Sequence, residues 1–459
     1  MRDFLDSFRL PFAGFGFLII WSMLIMYNYG GVVVSPSDGL MYIATNNATS
    51  IGIIVCTSAV TALCWKSDRI RKRMAWCLGA TVLGVAGTVL ILFGSDSLRL
   101  VGFAVAGLGN GWLLVSWGDV YARMSATAAE GAAVGAAVGN LLVALLVSLL
   151  PVFGRIAILL LLVPLSTLGY FASLRQLAMS GESDADATAT SLPCSRALIA
   201  RICVGLGVPI AVVYLLFGSR HALFLMGSGS EDALILGLVV FAVAYLLFIR
   251  LAPGLDLASI ARVLLGFSVF IILADVLNLG SFLSGACCYG AAFLSQYLLM
   301  VYGARLFRSG FGNIVFTFGL VQLVNAVFSL LGGLAGYLAI GGGDASEAAI
   351  LHLWVFVLAL SFAAVLVIQR SPTDAFRPTD HNGGAGVTDT RHLVEIAERF
   401  NLTPRETEVF LLLAAGQSAP LIRDELTISL STVKSHVKHI YEKMDVHTRQ
   451  EFLHIIYTD

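Results

Sequence analysis

Charge is what this chain has least of. Asp, Glu, Lys and Arg make up 12% of its 459 residues, against 58% hydrophobic residues. Soluble domains carry about a quarter charged residues, so the scarcity excludes a soluble globular protein and leaves an integral membrane protein. Cysteine is also sparse. Cys56, Cys64, Cys77, Cys194, Cys203, Cys287 and Cys288 lie mostly in or beside apolar runs. None has metal-ligand spacing, and the adjacent Cys287 and Cys288 read as small buried hydrophobes rather than a redox pair. A nucleotide-binding Gly-rich loop, a kinase signature, a receiver domain and a catalytic constellation are all missing. No enzyme activity, catalytic residue, metal or cofactor is therefore expected. The basic start MRDFLDSFRLPFAGFGFLIIW lacks an A-x-A-like cleavage site and reads as a first spanning helix, not a signal peptide.

What the chain has in abundance is long apolar runs. Spanning needs roughly 20 mostly apolar residues. Such runs occur near 10–27, 43–65, 75–94, 99–121, 132–151, 156–175, 198–218, 232–250, 262–280, 283–304, 311–340 and 347–369. That makes about twelve helices, with 311–340 long enough to be one tilted or broken helix. Small residues recur in GAAVGAAVGN (131–140) and LGGLAGYLAI (331–340), which allows close backbone approach where apolar helices pack in lipid. With the N-terminus inside and each span flipping the side, only Arg99, Arg155 and Arg220 of the basic residues up to Arg370 fall outside. The positive-inside rule thus supports an even count, with both termini in the cytoplasm of a bacterial cytoplasmic membrane. A polar stretch at 180–196, within a central cytoplasmic loop of about 176–197, divides the spans six and six.

Polar groups inside spans are costly and default to functional candidates. Asp275 is the one acidic residue deep in a helix, with Asn278 on the same face one turn later. Asn140, Gln296, Gln322 and Asn325 are the other buried polar residues, for which hydrogen bonding between helices is the first account. Trp112 and Trp117 are placed to line a cavity. Trp112, Asp275, Asn278, Gln296, Gln322 and Asn325 are the candidate ligand contacts. Asp119 precedes Arg123 at i+4 and reads as half of an interfacial ion pair.

Composition changes sharply after Arg370. Residues 371–390 form a polar Pro/Gly linker between a membrane domain (1–370) and a soluble end (391–459). RHLVEIAERF (391–400) reads as a lead-in helix. Thr403, Pro404 and Glu406 are an N-cap, a first-turn proline and a capping-box partner. The helix they start ends at Gly416. A second follows over about 419–426, with Pro420 in its first turn, and Ser429 caps a third over 430–444. At about 100 degrees per residue, Val433, Val437, Ile440 and Met444 share one side of that third helix. Lys434, Ser435, Lys438 and Glu442 share the other. A buried stripe opposite a basic, small-residue stripe suits a helix entering the DNA major groove, and by periodicity alone it suits an ordinary amphipathic surface helix equally.

Two resemblances follow from these residues. The six-plus-six arrangement resembles the major facilitator superfamily of transporters. So does KSDRIRKR (66–73), where Asp68, Arg69, Arg71 and Lys72 match the superfamily's loop motif while its glycines are missing. The C-terminal end resembles the LuxR-type helix-turn-helix family. Leu402, Thr403, Arg405, Glu406, Glu408 and Val409 match its start, and Gly416 its turn. Ile422, Leu426, Ile428 and Ser429 match its scaffold helix. Thr432, Val433, Lys434, His436, Ile440, Lys443 and Arg449 match its recognition helix and exit. The resemblance implies base contacts from Lys434, Ser435 and Lys438. It implies phosphate contacts from Thr432, Lys443 and Arg449, and a dimer contact from a final helix beginning at Thr448. Arg423 and Pro420 depart from the family's usual residues, off the recognition helix.

From Asn401 onward six Lys/Arg face eight Asp/Glu, so affinity from counterion release alone is low and binding as a homodimer is expected. The fold class expected is all-α: a polytopic membrane bundle of about 12 spans followed by a small LuxR-type domain. The function expected is a one-component regulator in the lipid bilayer that senses a small molecule in its bundle and acts on double-stranded promoter DNA. The alternative is a transporter that also reports transport to transcription.

Overall fold

A helix satisfies its own backbone hydrogen bonds, so long apolar runs in lipid must be helical. The computed structural model describes residues 14–26, 39–64, 73–124, 126–179, 196–224, 235–241, 257–277, 281–308, 313–340, 359, 390–414, 419–426, 428–446, 451–452 and 455. Among these, all regular structure is helical. In chain order the helices are α1 (Gly14–Met26), α2 (Gly39–Leu63), α3 (Arg73–Phe93), α4 (Asp96–Arg123), α5 (Ala126–Leu149), α6 (Val152–Met179) and α7 (Arg196–Phe224). There follow α8 (Leu257–Val276), α9 (Ser281–Arg308), α10 (Ile314–Ile340), α11 (Thr390–Arg399), α12 (Pro404–Ala414), α13 (Ala419–Leu426) and α14 (Leu430–Lys443). Residues 235–241 are helical as well.

Six described helices, within α3, α4, α5, α6, α9 and α10, are long and apolar enough to cross a membrane. Shorter apolar helices occur at Gly14–Met26, Asn47–Leu63, Ile202–Leu216 and Ile260–Ala274. The long run at 311–340 is one unbroken helix, α10. Most of the eighth expected span and all but residue 359 of the twelfth lie outside the described residues, as do the 66–72 basic loop, the central loop from 180 to 195 and the linker to residue 389.

By its contacts the chain divides into two compact units. One comprises Met1–Ser183, Ser191–Phe307 and Phe311–Ser371; the other is chiefly Pro372–Asp459. In the first unit, apolar side chains face outward as well as inward. Trp76, Val82, Leu142, Leu149 and Phe153 are all more than half exposed, up to 86% for Phe153, as a lipid-facing surface requires. α9 and the middle of α4 are buried nearly all round.

Close helix crossings hold this unit together. A Cβ on Gly107 of α4 would lie 2.2 Å from the Thr49 carbonyl oxygen of α2, and one on Gly52 would lie 2.3 Å from Ala104 O. The two glycines therefore let the backbones touch reciprocally. In the small-residue run 131–140, Ala132, Ala133, Ala136 and Ala137 are buried, and a Cβ on Gly16 of α1 would sit 2.6 Å from Ala136 O. Cys287 and Cys288 are both buried, the small-hydrophobe role expected of them.

The second unit buries its own core. Ile396, Val409, Phe410, Leu413, Ile422, Val433, Ile440, Met444 and Phe452 are at most 5% exposed. α11 and α14 end alike. Asn401 and Asp445 each take a left-handed φ of 52°. Leu402 N–H donates to Ala397 O at 3.0 Å, and Val446 N–H to Tyr441 O at 3.0 Å. These six-to-one closures satisfy carbonyls that a helix end otherwise leaves open.

Candidate functional site

The recognition-like helix α14 is built by its caps and its stripe. The Ser429 hydroxyl accepts from Thr432 N–H at 3.1 Å, and Thr432 Oγ1 lies 2.7 Å from Ser429 Oγ. Val433 and Ile440 are fully buried and Met444 nearly so, and Val437 packs against the same core. The opposite face is free: Lys434, Ser435, Lys438 and Glu442 are exposed. Lys438 Nζ lies 3.6 Å from Glu442 Oε1, with both side chains more than half exposed, a pairing that solvent leaves weak. Lys434, Ser435 and Lys438 therefore form one accessible basic stripe. Arg449 lies outside the described residues.

The helix before it is started by a reciprocal cap. Thr403 N–H donates to Glu406 Oε2 at 2.8 Å, and Glu406 N–H donates to Thr403 Oγ1 at 3.3 Å, the capping box that the sequence spells. The same Oε2 accepts from Lys443 Nζ at 2.7 Å. Lys443 also donates to the Asn401 carbonyl at 3.0 Å. Expected on the phosphate backbone, Lys443 instead has two of its three donors committed inside the domain. The sequence could not show this, because its partner lies 37 residues away. Burial by itself would raise the Glu406 carboxyl, but the Lys443 hydrogen bond, the two Thr403 bonds and the Lys443 charge outweigh it and hold the pKa at about 2.

Phe452 went unrecognised in the sequence. It lies in the final helix expected for dimer contact, yet it is buried, with its ring 5.6 Å from both Phe410 and Tyr441. Aromatic identity in a terminal segment was its only signal.

In the membrane unit the expected polar residues divide. Asn140 Nδ2 donates to Tyr297 Oη at 2.8 Å, the helix-to-helix bond its burial calls for. Asp119 accepts from Arg123 Nε at 3.0 Å, the expected ion pair. Trp117 donates to Ser166 Oγ at 3.0 Å and packs on Tyr170, so it belongs to the core. Trp112 packs on the outward-facing Trp76 at 5.9 Å.

Three others carry buried polar atoms without a partner among the described residues. Gln322 and Asn325 stand one turn apart on α10 and are 0% and 5% exposed. Neither end of the Gln322 amide, nor Asn325 Oδ1, nor Gln296 Oε1 on α9, has a hydrogen-bond partner. Phe318 of α10 meets Gly303 of α9. The Tyr214 hydroxyl of α7 reaches Ser295, Gln296 and Ser329 beside them. Buried amides without partners cost roughly 1–3 kcal/mol each. The Asp275 side chain and Asn278 lie outside the described residues.

Comparison with known proteins separates the same two parts. Residues 400–456 match the family described as Bacterial regulatory proteins, luxR family. The chain is 50% identical over 48 residues to a probable transcriptional regulatory protein NarL of Mycobacterium tuberculosis, which is 10% of this chain and 22% of that protein. It is 46% identical over 50 residues to the nitrate/nitrite response regulator NarL of Escherichia coli (11% and 23%). It is 41% identical over 51 residues to the transcriptional regulatory protein LiaR of Bacillus subtilis (11% and 24%). The chain thus spans under a quarter of the length of these curated relatives. Among solved structures, it resembles the human organic anion transporter MFSD10, with a TM-score of 0.52 and 18% identity over 79% of this chain and 97% of that one. It also resembles an auto-inhibited POT family peptide transporter, with a TM-score of 0.51 and 14% identity over 82% and 98%. At such identities the likeness is one of fold. The chain therefore carries a luxR-family helix-turn-helix domain at residues 400–456 after a helical unit whose fold resembles those of these transporters.

Proposed function

We propose that this chain is a membrane-embedded one-component transcriptional regulator. A small molecule binds within the bundle and shifts its conformational equilibrium, which alters DNA binding by the C-terminal domain. The observation that carries the reading is the presence of both parts in one chain, with partnerless buried amides in the membrane unit and a free basic stripe on α14. A ligand shifts such an equilibrium only through unequal affinity for its two states. Gln322, Asn325 and Gln296 are ligand contacts in this reading, with Asp275, Asn278 and Trp112 as further candidates. Lys434, Ser435 and Lys438 meet base edges, while Thr432 and Arg449 meet phosphates.

The domains run 1–370 and 391–459, joined by a linker at 371–390. Both termini lie in the cytoplasm of the bacterial membrane, and two chains act as a homodimer on paired half-sites, whose tethering raises their effective concentration. Genome-wide crosslinking of the full-length chain to DNA tests this reading. Enrichment at one or a few promoters that is lost in Lys434→Ala/Lys438→Ala supports it, and equal profiles for both proteins refute it. The likeness to transporters favours a second reading, a working carrier that also reports transport. Net substrate flux in reconstituted vesicles separates the two, because a pure sensor binds and moves nothing.

A further inference from the structure

One carboxylate ties three helices of the C-terminal unit together. Glu406 Oε2, in the first turn of α12, accepts from its own N-cap at Thr403 N–H (2.8 Å) and from Lys443 Nζ (2.7 Å) at the end of α14. Lys443 in turn holds the carbonyl of Asn401, the left-handed residue that terminates α11. One turn earlier on α14, His439 Nδ1 faces Glu406 Oε1 from 3.9 Å. The Glu406 side chain is 6% exposed and that of Lys443 only 35%. The pair is thus largely shielded from the solvent that makes surface ion pairs worth little.

This clasp grips the C-terminal end of α14, two turns or more from Lys434 and a little over one turn from Lys438. The free stripe is presented by a helix anchored at its C-terminal end and capped by Ser429 at the other. An ammonium with two donors committed internally, at the far end of the helix, is poorly disposed to neutralise a phosphate. Its charge is instead spent on a carboxylate that also fixes where α12 starts. Resting on the DNA-binding reading above, we propose that Glu406 and Lys443 are positioning residues for DNA recognition: they set the pitch of α14 against α11 and α12 and touch no DNA themselves.

The two roles for Lys443 predict opposite signs for one substitution. If Lys443 met a phosphate, Glu406→Gln would release the lysine and remove a negative charge near DNA, so binding would tighten. If the clasp positions α14, the same change loosens the helix and weakens binding. The experiment measures affinity of the full-length chain in nanodiscs for a promoter fragment recovered by crosslinking, across a salt series. Each phosphate contact contributes about 0.9 to the slope of log affinity against log salt. The clasp predicts that Glu406→Gln and Lys443→Met each weaken binding at least about tenfold with the wild-type slope retained, and that Lys443→Arg, which keeps the pair, recovers most of the loss.

Tighter binding by Glu406→Gln, or a slope shallower by about 1.8 for Lys443→Met (about 0.9 from each protomer of the dimer), overturns the proposal. Should Glu406→Gln unfold the domain, seen as lost amide protection over Pro404–Lys443, the slope of Lys443→Met decides alone. A wild-type chain that enriches no promoter refutes the DNA-binding reading itself, an outcome distinct from a wild type that binds with variants of the wrong sign.

Discussion

Single residues decide how firmly helix α14 is set. Glu406, held at a pKa of about 2 against 4.5 for a free carboxyl, stabilises the fold wherever it is ionised. Because its folded value is depressed, this contribution is complete above about pH 4.5 and is lost as pH falls toward about 2. Amide exchange across α12 and α14 should show the wild type more protected than Glu406→Gln at neutral pH, by on the order of 2–3 kcal/mol. That advantage should shrink through this window and vanish below it. Ser429→Ala removes the cap of α14 and should cost about 1 kcal/mol by the same measurement. Both caps were legible because a capping box is a pattern within four residues. The Lys443 clasp was not, since nothing in a linear pattern says which of several carboxylates a distant ammonium will meet.

At the scale of elements, the chain reads well where periodicity is long and poorly where partners matter. The four helices of the C-terminal unit lie within about a residue or two of their expected bounds, because Thr403, Pro404 and Ser429 mark starts that the backbone must obey. The glycines were visible, but their use was not: a Cβ on Gly107 would strike the α2 backbone, whereas one on Gly139 meets nothing within 4 Å. Gly107→Val should therefore lower the thermal midpoint of the purified membrane protein markedly, while Gly139→Val should leave it nearly unchanged. Equal melting of the two variants would contradict the crossing. Phe410→Ala, at the centre of the second core beside Phe452, should destabilise that unit by about 3–5 kcal/mol, read again by amide exchange.

At the scale of the whole molecule, two cores imply two independent meltings. All six tryptophans, Trp21, Trp65, Trp76, Trp112, Trp117 and Trp354, belong to the first unit, so intrinsic fluorescence reports on it alone. A chain ended after Ser371 should keep the wild-type fluorescence midpoint to within a few degrees if each core carries its own transition. A large shift would show the two units to be coupled in stability.

Composition and period by themselves pointed to a helical membrane chain, and the residues at 402–450 that resemble the LuxR-type pattern added the helix-turn-helix. Scarcity of charge and the 3.6-residue repeat act through the backbone's need to satisfy its own hydrogen bonds, which is a local requirement. Only the tertiary structure decided which polar residues have partners. Asn140 found Tyr297 at a separation of 157 residues, and Lys443 found Glu406 at 37, while Gln322 found none. Partnership is a property of helices brought together in space, and the order of residues along the chain does not encode it in any short pattern.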